Sequence, residues 1–176
     1  MLLFTDPERT PDPVTAARRL PRGAGVVFRA FGAPDAVETG RALARVCQAR
    51  GLVFLVGADA TLAARLGADG VHLPECLAFG PGRIRALRNR FRVTAAAHSL
   101  PAARRARAAG AQAIVISPVF LSHSASAGRP LGLIALARLA REAGAPVYAL
   151  GGVNARTAKS LKLTGVAGFA AVDALA

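Results

Sequence analysis

GADGVHLPE, residues 67–75, joins the end of a predicted helix to a short strand. Gly67 follows an alanine-rich segment and suits the position just after a helix end. The apolar run Gly70–Leu73, with His72 inside it, is typical of a buried parallel strand. Glycine-alanine steps of the same kind recur at Gly110-Ala111 and Gly144-Ala145. Each step closes a helical segment shortly before an apolar run, which predicts a repeated helix–strand unit.

Eight short apolar runs alternate with alanine- and arginine-rich amphipathic segments. This alternation predicts a parallel sheet, and eight strands favour a closed α/β barrel, the (β/α)8 or TIM barrel, over an open doubly wound sheet. The predicted strands are Leu2–Thr5, Val26–Phe31, Leu52–Val56, Gly70–Leu73, Arg92–Ala97, Ala113–Ser117, Val147–Leu150 and Gly168–Val172. The predicted helices are Val14–Leu20, Pro34–Arg50, Ala60–Leu66, Pro81–Arg90, Pro101–Ala109, Leu131–Ala143 and Ala155–Leu163.

The 176 residues fit a single domain, residues 1–176, because single domains usually have about 100–200 residues. The sequence stops at Ala176, directly after the eighth predicted strand, so we expect a short form of the barrel that lacks the last outer helix. An uncovered barrel wall is unfavourable by about 25 cal/mol per Å² of exposed apolar surface. We therefore expect a homodimer contact or a distorted barrel end at this place.

The composition favours a densely packed protein of the cytoplasm. Hydrophobic residues form 53% of the chain, and no run is long enough for a membrane span or a signal peptide. Cys47 and Cys76 have neither disulfide nor metal-ligand spacing. The net charge of +13 comes almost entirely from arginines on predicted outer helix faces. Since aromatic residues form only 5% of the chain, stacking surfaces for bases are scarce and we expect no nucleic-acid partner.

The chain resembles the superfamily of thiamine phosphate synthases and TenI-like thiazole tautomerases. The resemblance depends on five segments in order along the chain. They are LLFTD at strand one, VVFRAF at strand two, LGADGVHLPE at strand four, GAQAIVISPVF at strand six and YALGGVNARTAKSLKLTGVAGFAAVD at strands seven and eight. It implies a TIM barrel of thiamine biosynthesis whose partner is a small phosphorylated thiazole or thiamine phosphate.

In the synthases, the resemblance implies that an aminopyrimidine diphosphate is joined to a thiazole phosphate, with Mg²⁺ on the diphosphate. The groups that this half of the site needs are missing here. The substituted positions are Ala30 and Phe31 after Arg29, Gly57 and Ala58 for an Asn-Asp pair, Pro74 to Leu77 for a Gly-Gln-x-Asp stretch, Ala96 for a serine and Ala125 for a lysine. Asp59 falls one residue late and suits a helix N-cap better than a metal ligand. We therefore expect no resident cofactor, and magnesium only if the chain is a true synthase.

The residues that the resemblance assigns to binding of the thiazole phosphate are better retained than those of the diphosphate half. Ser122 and Ser124 provide hydroxyls where the family has threonines, and Gly151-Gly152 ends strand seven, where barrel enzymes present N–H groups to a phosphate. Asp173 replaces a family serine, and a carboxylate is unfavourable beside a phosphate unless Arg129 or Arg156 screens it. A tight turn without a ligand is the alternative interpretation of the glycine pair.

The thiazole tautomerases need neither magnesium nor diphosphate, and their proton-transferring histidine corresponds to Pro118 here. His123, further along the same loop, and Glu75 are the candidate proton carriers. Arg29 is the candidate for holding an anionic group, because an arginine in an apolar strand is costly to bury without one.

The two remaining histidines have open roles. His72 is expected either to line the substrate site or to make a structural hydrogen bond, and His98 is expected to cap the following helix.

Three functions follow from this pattern. The first is a tautomerase-like enzyme that acts on a thiazole carboxylate phosphate. The second is a catalytically silent protein that binds a phosphorylated ligand. The third, the alternative, is a functional thiamine-phosphate synthase that joins hydroxymethylpyrimidine diphosphate to thiazole phosphate.

Overall fold

A computed structural model describes residues 1–78, 87, 90–122 and 128–172. Eight parallel strands form a closed barrel in chain order. The strands are β1 Leu2–Phe4, β2 Gly25–Phe28, β3 Val53–Gly57, β4 Gly70–Leu73, β5 Arg92–Ala97, β6 Ala113–Ile116, β7 Val147–Ala149 and β8 Gly168–Ala171. Leu2 of β1 pairs with Ala170 of β8, which closes the barrel. The predicted TIM barrel is thus confirmed, and the open doubly wound sheet is wrong.

Helices cover the outside of the barrel between successive strands. The α-helices are α1 Pro13–Arg19, α2 Ala36–Arg50, α3 Ala60–Leu66, α4 Leu100–Ala109 and α5 Leu133–Glu142, and two 3-10 helices span Glu75–Leu77 and Thr157–Leu163. Gly67 ends α3 in the left-handed conformation, with φ of 63°, as the sequence predicts for a C-cap. The predicted helix Pro81–Arg90 lies mostly outside the described residues. The expectation that no outer helix follows β8 falls on residues 173–176, which also lie outside the described residues.

Most predicted boundaries are shifted by one to three residues, and for three elements the structure shows the cause. β2 ends at Phe28 rather than Phe31, because the chain turns away at Phe31, which has a φ of +48°. α5 begins at Leu133 because the two preceding N–H groups, of Leu131 and Gly132, donate to carbonyls of the loop after β6. The predicted helix Ala155–Leu163 is a 3-10 helix from Thr157 onward.

Polar side chains explain why the last of these segments is not an α-helix. Asn154 Oδ1 accepts the N–H groups of Arg156 and Thr157 at 2.9 and 3.0 Å. The Thr157 hydroxyl donates to the carbonyl of Gly152 at 3.0 Å. The Asn154 contacts are those of a helix N-cap. Further along, the hydroxyls of Ser160 and Thr164 donate to the carbonyls of Thr157 and Leu161, each at 2.7 Å, and so compete for carbonyls that an α-helix would use.

The core has two layers, as barrels require. Inside the barrel, side chains of alternate strand positions pack together; they are Leu2, Phe4, Val27, Leu55, Val115 and Ala170. Outside it, the opposite faces of the strands pack against the helices in a larger cluster that includes Leu3, Val26, Leu43, Val71, Ile114 and Leu136. Among the described residues no helix is long and apolar enough to cross a membrane.

Arginines on the outer helices make specific contacts with neighbouring elements. Arg104 of α4 lies 2.9 Å from the carboxylate of Glu142 in α5, and Arg107 donates to the carbonyl of Gly144 at 2.8 Å. Part of the high positive charge therefore ties α4 to the end of α5. Exposed contacts of this kind contribute roughly 0–1 kcal/mol each.

Candidate functional site at the barrel mouth

The carboxyl ends of the strands meet at one face of the barrel, which we call the mouth. The loops after β2, β4, β5, β6 and β7 begin there, and in TIM barrels this face carries the active site. The described candidates lie in β4 or within a few residues after a strand end; they are Arg29, His72, Glu75, Ser122, Gly151 and Gly152. His123, Ser124 and Asp173 lie outside the described residues.

Arg29, directly after β2, is held by the end of β1. Its Nε donates to the carbonyl of Thr5 at 2.8 Å, and one terminal nitrogen lies 3.3 Å from an Asp6 carboxylate oxygen. The guanidinium carbon lies 5.5 Å from the centre of the Phe4 ring and 5.1 Å from that of Phe31. Since Phe4 belongs to the inner layer, the cation lies at the mouth, above the packed interior.

The positive charge of Arg29 is only partly balanced by its neighbours. Burial lowers the pKa of the guanidinium, the Asp6 carboxylate raises it and Arg9 lowers it. About a quarter of the side chain, 26%, remains exposed to solvent. An arginine stays charged at neutral pH, so an anionic group that reaches this exposed edge would meet a fixed, preorganised cation.

His72 lies beneath the mouth, inside the barrel. It is 6% exposed, and its Nδ1 shares a hydrogen bond of 2.9 Å with the hydroxyl of Thr94 in β5. The Phe4 ring meets it edge-on, with ring centres 5.0 Å apart. Burial, and to a lesser degree the charge of Arg29, lowers the pKa of His72 to about 3. The imidazole is therefore neutral at physiological pH. Its bond to Thr94 corresponds to the structural role, one of the two roles that the sequence left open.

Glu75 and His98 join two neighbouring strands at the mouth. Glu75 begins the 3-10 helix after β4, and His98 directly follows β5. One carboxylate oxygen of Glu75 accepts both the backbone N–H of His98, at 2.8 Å, and its Nδ1, at 2.7 Å. The expectation that His98 caps α4 is wrong, because the Ser99 hydroxyl accepts the N–H of Ala102 and takes that position.

The glycine pair after β7 is fixed by the loop after β6. Gly151 and Gly152 have φ values of 91° and 66°, and a Cβ on Gly151 would lie 2.8 Å from Cα of Pro118. A Cβ on Gly152 would collide with the carbonyl of Leu121. The close approach of two loops thus requires both glycines, whether or not a ligand binds there. Ser122, half-buried, follows in the same loop after β6.

The described residues do not fit a magnesium–diphosphate site. Ala58 and Leu77 occupy the two places where the resemblance puts metal-binding carboxylates, and neither has an oxygen ligand in its side chain. Asp59 accepts the N–H of Leu62 at 2.8 Å and is the N-cap of α3, as predicted. Within the described ranges, no three metal-ligating side chains come together.

Two cavities lie outside the barrel interior. A cavity of 230 Å³ lies beside Arg29, between the loops after β1 and β2, and reaches the start of α2. A cavity of 570 Å³ lies between α2, α3 and the amino ends of β3 and β4, away from the mouth. Its size does not make it the site, because in barrels of this class the chemistry belongs to the carboxyl ends of the strands.

Comparisons with known proteins give the family. The family profile described as "Thiamine monophosphate synthase" matches residues 4–175. The chain is 32% identical to the "Thiamine-phosphate synthase" of Alcanivorax borkumensis, covering 98% of this chain and 82% of that protein. It is 37% identical to the protein of the same name from Anaeromyxobacter dehalogenans, covering 86% of this chain and 64% of that protein.

A solved structure agrees with these relatives. The thiamine phosphate pyrophosphorylase from Pyrococcus furiosus superimposes with a TM-score of 0.84 at 27% identity, covering 97% of this chain and 84% of that one. The chain therefore belongs to the thiamine monophosphate synthase and TenI family, a TIM-barrel family of thiamine biosynthesis. It spans about two thirds to four fifths of the length of these two curated relatives.

Four participants in the site were not identified from the sequence. Thr5 and Asp6 hold Arg29, Thr94 binds His72, and His98 pairs with Glu75. The first pair lies within the LLFTD segment that carries the resemblance, and a polar residue directly after a strand is a usable signal. Thr94 has no such signal, because a single threonine in an alanine-rich strand suits packing equally well.

Proposed function

We propose that this chain binds a thiazole ligand with a single phosphate at the barrel mouth and moves a proton on it, without displacing a diphosphate. The ligand class is a thiazole carboxylate phosphate. The observation that carries the proposal is the contrast at the mouth. A fixed arginine remains beside β2, while Ala58 and Leu77 stand at the metal positions and Asp59 is used as a helix cap.

Each half of the ligand has a proposed partner. The carboxylate is bound by Arg29, which β1 orients toward the mouth. The phosphate is bound at Gly151-Gly152, beyond β8 and β1 around the barrel. Backbone N–H groups in left-handed turns can form such an anion site. Ser122 lies on this phosphate side, and the sequence assigns Ser124 and Asp173 to it as well. His72 lies beneath Arg29 inside the barrel.

The chemistry then needs a proton carrier and no metal. Tautomerisation of a thiazole carboxylate moves a proton between two carbon atoms and shifts the double bonds between them, and no group is displaced. General acid–base catalysis by one side chain contributes about 10²–10⁴-fold to such a step. Glu75 and His123 are the candidates that the sequence offers for this role.

The proposal is tested with purified protein and a thiazole carboxylate phosphate tautomer, followed by NMR. We expect conversion to the aromatic tautomer that does not change when magnesium is replaced by a chelator. In the variant Arg29→Met the ligand-induced rise in melting temperature, which reports native-state binding, should be smaller than in wild type at the same ligand concentration. A rise in melting temperature without turnover would show a silent binder. Magnesium-dependent thiamine phosphate formation would show a synthase instead.

A further inference from the structure

We propose that His98 transfers the proton at the barrel mouth and that Glu75 acts through it as a positioning residue. This inference rests on the proposed function, because it names the group that performs its proton transfer. It differs from the prediction from sequence, in which His98 caps a helix and His123 or Glu75 carries the proton.

The hydrogen bonds fix the imidazole in one tautomer. A carboxylate can only accept hydrogen bonds, so Nδ1 of His98 carries the hydrogen in its 2.7 Å contact with Glu75. The second bond, 2.8 Å from the His98 backbone N–H to the same oxygen, locks the residue's main chain as well. In the neutral ring Nε2 is then the free base, since the two ring nitrogens share one hydrogen. A carboxylate behind a histidine plays this orienting role in acid–base sites generally.

The strand places His98 at the mouth. Thr94 lies on the inner face of β5, because its hydroxyl bonds to His72 inside the barrel. Side chains alternate along a strand, so Thr94 and Ala96 share that face, and His98 follows directly after the carboxyl end of β5. The His98 side chain is 56% exposed, so a ligand in the mouth can reach its ring.

His72 and Glu75, the two neighbouring titratable groups discussed above, are less suited to proton transfer. His72 is sealed beneath the mouth and already bonded to Thr94. One oxygen of Glu75 is occupied by two N–H donors, which suits a group that orients its neighbour. His98 therefore combines exposure, a fixed tautomer and a place at the end of β5.

The proton that the ligand loses is returned to the same ligand. Nε2 takes a proton from a ring carbon of the thiazole carboxylate, and the electron pair of that C–H bond moves into the conjugated system. The imidazolium then returns the proton to a different carbon of the same conjugated system. No electron or proton is gained or lost overall, so no co-reactant is needed.

Turnover and binding are measured for wild type, His98→Gln and Glu75→Gln. His98→Gln should lower kcat at least about 100-fold while keeping the ligand-induced rise in melting temperature. Glu75→Gln should lower kcat by about 10-fold with KM unchanged, because the ring stays but is no longer fixed. Ser99→Ala is the matched control: it removes the cap of α4 next door and should leave kcat unchanged. Added imidazole should restore part of the turnover of His98→Ala.

A nitrogen NMR measurement is independent of turnover. In the ligand-free wild type, His98 should show a protonated Nδ1 and an unprotonated Nε2 at alkaline pH, and Glu75→Gln should give a mixture of tautomers. An active wild type whose His98→Gln variant keeps kcat within about twofold would overturn the inference and leave the proposed function standing. An Nε2–H tautomer in wild type would also overturn it. An inactive wild type would instead overturn the proposed function, and the proton-transfer role with it.

Discussion

The Nε of Arg29 donates to the main-chain carbonyl of Thr5 at 2.8 Å, so the end of β1 fixes the direction of the guanidinium after β2. Asp6 holds one terminal nitrogen from the same segment. An arginine oriented in this way presents a fork of donors to an anion at little further cost in side-chain entropy. The proposed carboxylate site depends on this arrangement.

Arg29→Met should therefore weaken binding of a thiazole carboxylate phosphate by about 10–100-fold, as expected for loss of hydrogen bonds to a charged group worth about 1.5–3 kcal/mol. Arg29→Lys keeps the charge and loses the fork, so its affinity should lie between those of wild type and Arg29→Met. Isothermal titration measures all three proteins. Equal affinities for wild type and Arg29→Met would remove Arg29 from the site.

His72 should make the protein sensitive to acid. Its pKa is about 3 in the folded chain and 6.5 in an ordinary environment, so between these values only the unfolded chain binds a proton there. The free energy of unfolding should then fall as the pH is lowered, by up to about 1.4 kcal/mol per pH unit. Above about pH 6.5 this contribution is fully present.

Denaturant titrations from pH 7 to pH 4 measure that slope. In His72→Gln the free energy of unfolding should fall less steeply with pH, because the unfolded chain can no longer bind a proton at residue 72. Phe4→Leu is the matched control, because it weakens the packing on His72 but keeps the titrating group. The assignment fails if wild type and His72→Gln lose stability in parallel as the pH falls.

Ala58 holds a left-handed backbone conformation, with φ of 63°, directly after β3. That conformation costs a residue with a Cβ about 1–2 kcal/mol, and glycine avoids this cost. Ala58→Gly should therefore stabilise the protein by about 1 kcal/mol in thermal or denaturant unfolding. Ala64→Gly, on the exposed side of α3, is the control and should destabilise it by about 1 kcal/mol. Equal losses in both variants would contradict the strained geometry at Ala58.

Gly152 should tolerate no side chain. Gly152→Ala brings a Cβ against the carbonyl of Leu121 and within 2.8 Å of the Phe120 Cβ, so the turn after β7 must open. Gly23→Ala is the matched control, because Gly23 also has a positive φ, 78°, but no atom near its would-be Cβ. Gly23→Ala should cost about 1–2 kcal/mol from backbone conformation alone, and Gly152→Ala clearly more. Equal melting temperatures for the two variants would show that the loops do not approach so closely.

The barrel could be predicted from the sequence because its strands are short apolar runs with clear ends. Gly70–Leu73 is predicted to the residue, and Gly67 takes the left-handed conformation that its position after a helix suggests. The α-helix predicted over Ala155–Leu163 is wrong, because the hydroxyls of Ser160 and Thr164 donate to the nearby carbonyls of Thr157 and Leu161. Local polar competition of this kind is not visible in an apolar periodicity.

The site could be predicted only in part. Which strand ends carry polar groups follows from the order of the strands, and this located Arg29 and Glu75 at the mouth. Which groups pair does not follow, because Arg29 lies 24 residues from Thr5 and His98 lies 23 residues from Glu75. Such contacts depend on the closure of the barrel and on side-chain rotamers, and neither is encoded in local sequence spacing.

We propose that the barrel mouth cannot hold a metal-bridged diphosphate, because Ala58 and Leu77 stand where metal-binding carboxylates are expected. The most direct measurement is pyrophosphate release from hydroxymethylpyrimidine diphosphate and thiazole phosphate, with and without Mg²⁺. We predict no release above the rate without protein at any magnesium concentration, while thiazole carboxylate phosphate still raises the melting temperature. Magnesium-dependent release of pyrophosphate together with thiamine phosphate would contradict the account.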